Sequence, residues 1–139
     1  MKINEIFVSP QGEGEFAGEN HLFIRFPGCN LNCCYCDTDF KKYDVISFND
    51  LNKEINSIYS KMCFSKIALT GGEPLIHADD IIKLRELDIC VPFMLETNST
   101  LTSCLRKVVD TIDYYSLDFK LEYHLDEYDF FEFFNVLMF

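Results

Sequence analysis

Basic residues are scarce in this sequence. Twelve lysines and arginines stand against 23 acids among 139 residues, a formal net charge of −11. No cluster of Lys or Arg interrupts that balance. It therefore argues against a nucleic-acid or anionic-membrane surface, which needs concentrated positive charge to meet phosphates. Long apolar runs are lacking as well. No segment approaches the roughly 20 apolar residues that span a bilayer. The opening MKINEIFVSPQGEGEF has neither the apolar stretch nor the small-residue cleavage site of a secretory leader. Repeats and low-complexity segments are absent. A soluble, cytoplasmic protein with no membrane or nucleic-acid partner is expected. With 48% hydrophobic and 25% charged residues it should fold around a packed core.

What is present alternates between two periods. HLFIRF (21–26), KIALT (66–70), VPFMLET (91–97) and YYSLDF (114–119) read as strands, several of them cut by Gly or Pro. Residues 47–60 place Leu51, Ile55 and Ile58 on one helical face, with Ser47 or Asn49 as N-cap. Residues 79–87 form a second helix on Ile81 and Leu84, and 103–110 a short third. Strands alternating with helices predict an α/β fold with a mainly parallel sheet and right-handed crossovers. Ligands of such sheets gather at the strand C-termini. The loop after 21–26 and the turns TGGEP, ETN and SLDFK all fall there, so they should converge on one face.

The loop GCNLNCCYCDT (28–38) holds four of the seven cysteines. Structural disulfides are rare in the cytoplasm, and an odd count pairs incompletely. Structural zinc is usually closed by two ligand pairs, and no second pair exists. A redox C-x-x-C opens a helix directly after a strand, whereas here a third cysteine and polar residues intervene. Cys29, Cys33 and Cys36, spaced C-x3-C-x2-C, suit a [4Fe–4S] cluster held at three corners. Cys34, Cys63, Cys90 and Cys104 are expected as small buried hydrophobes. The glycines of GEGEFAG run G-x-G-x-x-x-G ahead of a strand, so a dinucleotide loop fails on context.

Together, C-x3-C-x2-C after one strand and TGGEP (70–74) after the next resemble the two signatures of the radical S-adenosylmethionine (SAM) superfamily. Within it, SPQGEGEFAGENHLFIRFPGCN is similar to the start of the 7-carboxy-7-deazaguanine synthase family, with its Q-G-E-G run, strand arginine and C-D-T. The resemblance covers residues 3 to about 120. It implies a shortened, partial (β/α) barrel over 1–120. The tail, 121–139, falls outside the resemblance: Phe130, Phe133, Phe134 and Leu137 at helical spacing would make a capping helix, and the apolar residues left over an oligomer contact or the altered end of a truncated reading frame. The resemblance also implies conversion of 6-carboxy-5,6,7,8-tetrahydropterin to 7-carboxy-7-deazaguanine, with ring contraction and loss of ammonia. Alternatives are a small activase of glycyl-radical enzymes, or a truncated, inactive cluster-binding remnant.

Residue roles follow from the same resemblance. Cys29, Cys33 and Cys36 would hold the cluster. Tyr35, Cys36, Asp37, Gly72, Glu73, Glu96, Ser116, Leu117 and Asp118 would bind SAM. Asp118 and Lys120 read equally well as a structural pair. Pro10, Gln11, Gly12, Glu13, Arg25 and Thr70 would bind the pterin. The strand period alone puts Arg25 on the face of His21 and Phe23, where a guanidinium needs an anion, either a protein carboxylate or a ligand. Gln11 and Glu13 are otherwise an ordinary polar turn. Thr38 would ligate Mg²⁺, a cation that prefers hard oxygens, or else serve a turn. An external electron donor and a homodimer are the expected partners.

Overall fold

The computed structural model describes residues 1–120. Two short strands, β1 (Lys2–Ile3) and β4 (Asp44–Val45), pair antiparallel at the periphery. The main sheet has five strands: β2 (Glu5–Pro10), β3 (Asn20–Phe26), β5 (Lys66–Gly71), β6 (Phe93–Thr97) and β7 (Tyr114–Leu117). Their order is β2-β3-β5-β6-β7. The last four run parallel, and β2 pairs antiparallel with β3. The α/β, mainly parallel partial barrel expected from the sequence is present. β2 is an addition, because EIFVSP carries a Pro and an Asn-flanked start that weaken its strand signal. The QGEG run lies in the β2–β3 turn. Residues 121–139, with the expected capping helix or oligomer contact, lie outside the described residues.

Three helices bridge the parallel strands: α1 (Phe48–Tyr59), α2 (Ala78–Arg85) and α3 (Thr102–Val108). Ser47 caps α1, its hydroxyl accepting from Asp50 N at 3.1 Å. Leu51 and Ile55 of α1, Ile81 and Leu84 of α2, and Leu105 and Val108 of α3 are buried against one sheet face. The strands meet them with Leu22, Ile24, Phe26, Ile67, Leu69, Phe93 and Leu95. Each such Leu or Ile, fully removed from water, contributes about 2 kcal/mol.

The period of two sends the alternate residues to the other, concave face. His21, Phe23 and Arg25 of β3 lie there beside Lys66, Ala68 and Thr70 of β5, their register partners. The lower end of this face is filled from the β2–β3 turn. Phe16 packs edge-on against Tyr114, with centroids 5.0 Å apart, and the Lys66 ammonium sits 3.7 Å from its ring centroid. Lys66 also pairs with Glu19 at 2.7 Å.

His21 is fully buried beside this pair, and neither ring nitrogen has a hydrogen-bond partner. Burial, and then the Lys66 charge, hold its pKa below the ordinary 6.5. The unfolded chain thus binds the proton more readily. Stability from this residue is complete above 6.5 and is lost as pH falls toward the lowered value. His21→Leu should flatten part of the pH dependence. Urea midpoints at pH 7.5 and pH 5.5 check this, and equal pH slopes in the two proteins would refute it.

Candidate active site

The loop 28–40 follows β3 and is tied at both ends. Gly28 N donates to Phe40 O at 2.9 Å, and Asn4 Nδ2 donates to Asp39 O (3.0 Å) and Lys42 O (2.6 Å). The end of β5 holds the start of the loop. Gly72 N donates to Phe26 O at 3.1 Å, and Glu73 N donates to Gly28 O at 2.8 Å. Two glycines are required for this approach. Gly71 has φ +132°, and a Cβ on Gly72 would lie 1.9 Å from Gly28 O. Asn98, after β6, donates through Nδ2 to Asn30 Oδ1 at 3.0 Å, and Asn30 Nδ2 donates to Thr100 Oγ1 at 2.7 Å. The ends of β5 and β6 therefore clamp the loop that leaves β3.

Glu73 is the buried centre of that clamp. Its carboxylate accepts from Leu75 N (2.9 Å), Thr97 Oγ1 (2.7 Å) and Asn98 N (2.8 Å), and it is wholly shielded from solvent. Burial pushes its pKa up, and these bonds oppose the shift. Glu73 does not line the cavity above it. In this structure it builds the site rather than facing a ligand.

A cavity of about 350 Å³ opens at these strand ends. Cys29, Cys33 and Cys36 all line it, with Tyr35, Asp37 and Thr38 from the same loop. Thr70 and Gly72, Glu96, Ser116 and Asp118 close it from β5, β6 and β7. An adjoining cavity of about 290 Å³ is lined by Gln11, Gly12 and Arg25. Glu13, Thr70, Glu96 and Ser116 border both. Gln11 Nε2 donates to Glu96 Oε1 at 2.7 Å, so the β2–β3 turn is held across the sheet to β6. Arg25 Nη1 donates to Glu5 Oε2 at 2.8 Å, which supplies the protein carboxylate foreseen for it while the guanidinium still lines the second cavity. Asp118 pairs with Lys120, as its alternative reading held, and the pair raises the lysine pKa. Lys120 lies over Tyr35, 5.2 Å from the ring centroid, joining β7 to the thiol loop.

Pro10 and Leu117 line neither cavity: Pro10 ends β2 on the surface, and Leu117 packs on the helix side. Thr97 and Asn98, at the end of β6, line the larger cavity as well. Phe7 and Ser9 on its neighbour's wall were missed because β2 itself was missed, and Phe23 joins them from the face of β3 that carries Arg25. Cys34 lines neither cavity. The expectation that it is buried with Cys63, Cys90 and Cys104 is corrected. Cys34, Cys63 and Cys90 are exposed, lying in loops between elements, and only Cys104 is partly covered.

The donor set fits an iron–sulfur cluster. Three thiols of one loop face one cavity, and two N–H groups reach the Cys29 sulfur, Leu31 N at 3.4 Å and Asn98 Nδ2 at 3.9 Å. Such donors favour a thiolate, while burial pushes the Cys29 thiol the other way. Among the described residues no three His, Cys, Asp or Glu side chains form a ready-made metal cage. Thiolate ligation would therefore draw the loop together as it forms. Thr38 brings a hard oxygen to the same wall. No described helix is long and apolar enough to cross a membrane.

The chain is similar to several known proteins. A 7-carboxy-7-deazaguanine synthase from Methanothermobacter thermautotrophicus is 38% identical over 129 residues, 90% of this chain and 51% of that one. The synthase from Archaeoglobus fulgidus is 39% identical over 140 residues, 93% of this chain and 60% of that one. The chain thus spans little more than half the length of these curated relatives. The crystal structure of QueE from Escherichia coli superimposes with a TM-score of 0.56 at 28% identity, over 71% of this chain and 53% of that one. The Radical SAM superfamily profile matches residues 23–129, from β3 through the thiol loop to beyond β7, and on that match the chain belongs to the radical SAM superfamily.

Proposed function

We propose that this protein is a 7-carboxy-7-deazaguanine synthase, acting on 6-carboxy-5,6,7,8-tetrahydropterin with loss of ammonia. One observation carries the reading. A thiol-lined cavity and an arginine-bearing cavity share Glu13, Thr70, Glu96 and Ser116, so two ligands bound there would touch. On this reading SAM occupies the first and the pterin the second, and the similarity to curated 7-carboxy-7-deazaguanine synthases supports it.

Cys29, Cys33 and Cys36 would hold a [4Fe–4S] cluster, which would supply the one-electron chemistry that radical SAM enzymes need. The protein's own work is positioning. Tyr35, Asp37 and Gly72 bind SAM beside the thiols, and Glu96, Ser116 and Asp118 hold its far end. The N–H of Gly72 is already spent on Phe26, so its contact runs through the carbonyl. Arg25 takes the pterin carboxylate, the bidentate pairing its planar fork favours. Gln11 and Glu13 meet the ring edge, with Gly12 between them leaving room for it, and Thr70 supports the ring. Thr38 would hold Mg²⁺ through its hydroxyl oxygen, the hard donor this cation prefers. Glu73 orders the strand ends from beneath. The protein works in the cytoplasm as a homodimer, with an external electron donor.

Anaerobic reconstitution with iron and sulfide, then incubation with reductant, SAM, Mg²⁺ and the carboxytetrahydropterin, tests this by mass spectrometry. The expected product is 7-carboxy-7-deazaguanine. Deoxyadenosine without it would keep SAM cleavage and remove the proposed substrate.

A further inference from the structure

The antiparallel β2 strand brings Glu5 directly opposite Arg25 in register. The Glu5 carboxylate accepts one bond, from Arg25 Nη1 at 2.8 Å. The guanidinium also lies over the Phe7 ring, 5.0 Å from its centroid. Phe7 is itself stacked on Phe23, the centroids 5.2 Å apart and the planes inclined by 11°. Phe7, Phe23 and Arg25 face the second cavity, and Glu5 does not. The carboxylate thus stands behind the arginine, at the end away from a ligand.

We propose that Glu5 is a positioning residue that fixes the plane of Arg25, so that the remaining donors of its fork meet a ligand carboxylate in two parallel bonds. The proposal rests on the proposed function for the ligand, a pterin bearing a carboxylate. Glu5 takes one Nη group of a guanidinium with five N–H donors, which leaves a bidentate edge open. The Phe7 face prevents the plane from tilting. Arginine is rich in rotamers, and a bidentate contact is made only if they have been narrowed beforehand. A purely structural role would be small. The Arg25 and Glu5 side chains are 32% and 52% exposed, and pairs that wet contribute little to folding. Glu5 also carries a charge that repels an incoming carboxylate. Position and charge therefore act in opposite directions, and substitution can separate them.

The test measures binding of pterin-6-carboxylate and of unsubstituted pterin to the full chain, for wild type, Glu5→Ala, Glu5→Gln, Arg25→Ala and the Glu5→Ala/Arg25→Ala pair. Glu5→Ala should weaken the carboxylated probe about tenfold, the scale of one well-placed charged hydrogen bond. It should leave unsubstituted pterin and the melting temperature nearly unchanged. Glu5→Gln keeps an acceptor without the charge, and should bind the carboxylated probe at least as tightly as wild type. In the Arg25→Ala background, Glu5→Ala should add nothing. Unchanged affinity in Glu5→Ala, or additive losses in the pair, would overturn the proposal. A ligand-independent reading runs beside it: hydrogen exchange at Arg25 Nε, followed by NMR, should accelerate in Glu5→Ala. If wild type fails to prefer the carboxylated probe, the functional reading falls. The exchange rate alone then decides the role of Glu5, and an unchanged rate rejects it.

Discussion

Replacing any one of Cys29, Cys33 and Cys36 with alanine should abolish iron binding, while alanine at Cys34, Cys63, Cys90 or Cys104 should leave it intact. The basis is placement rather than count. Only the first three thiols line the cavity at the strand ends, although Cys34 is next to Cys33 in the chain. Two remaining thiolates cannot hold a cluster that needs three protein thiolate ligands, and among the described residues no fourth cysteine lines the cavity. Iron and sulfide content with the visible absorbance after anaerobic reconstitution measure this directly. Circular dichroism on the same samples separates ligand loss from unfolding. Cys33 and Cys36 sit in a turn closed only by Cys36 N donating to Cys33 O at 3.2 Å, so their loss should leave the fold alone. Cys29→Ala also releases the Leu31 and Asn98 donors, a further cost of about 1 kcal/mol. Iron retained by Cys33→Ala, or lost from Cys34→Ala, would break the assignment.

Gly72→Ala is the second large effect, and it acts on the scaffold. The added methyl would stand 1.9 Å from the Gly28 carbonyl oxygen and 3.1 Å from Cys29 Cβ. The first contact is backbone against backbone, so no rotamer relieves it. The β5 end must move off the start of the thiol loop, breaking the bonds from Gly72 N and Glu73 N. The displaced turn carries Glu73, whose buried carboxylate then loses partners on β6 as well. Steric strain together with a disrupted buried carboxylate network puts the cost above about 4 kcal/mol. Denaturant unfolding should show that loss, and iron uptake should fall with it. A variant as stable as wild type would mean that the two strand ends are not held at this separation. Gly12→Ala, where a Cβ meets nothing within 4 Å, is the matched control.

Much of the candidate site was legible because its signals are local. The cysteine spacing, the double glycine and the strand endings are each contained in a few residues. A parallel sheet brings its C-terminal ends together whatever the side chains are. The buried faces of α1 and α2 followed from period alone, while the structure chose Ser47 over Asn49 as the helix N-cap. Harder to see was anything that depends on a partner distant in sequence. β2 has a weak strand signal by itself and forms because β3 offers it an edge. With β2 unseen, Glu5 and the Phe7 shelf were unseen too. Glu73 looked like a ligand group because GGE abuts the site, yet backbone and hydroxyl donors from β6 claim its carboxylate.

The sequence by itself determined the α/β alternation, the three thiols and the face that carries them. Periodicity and spacing are properties of neighbours along the chain, and they survive any uncertainty about packing. Tertiary structure alone decided which charges are enclosed by protein partners and which border a cavity. Arg25 and Glu73 were both candidates for ligand contact in the one-dimensional reading. Strand pairing gives Arg25 a carboxylate behind it and an open cavity before it. It gives Glu73 two donors from the end of β6, beside the local Leu75 N–H, and no opening. A charged group buried without partners would cost more than the fold can bear, so cross-strand neighbours, invisible in the sequence, settle its role.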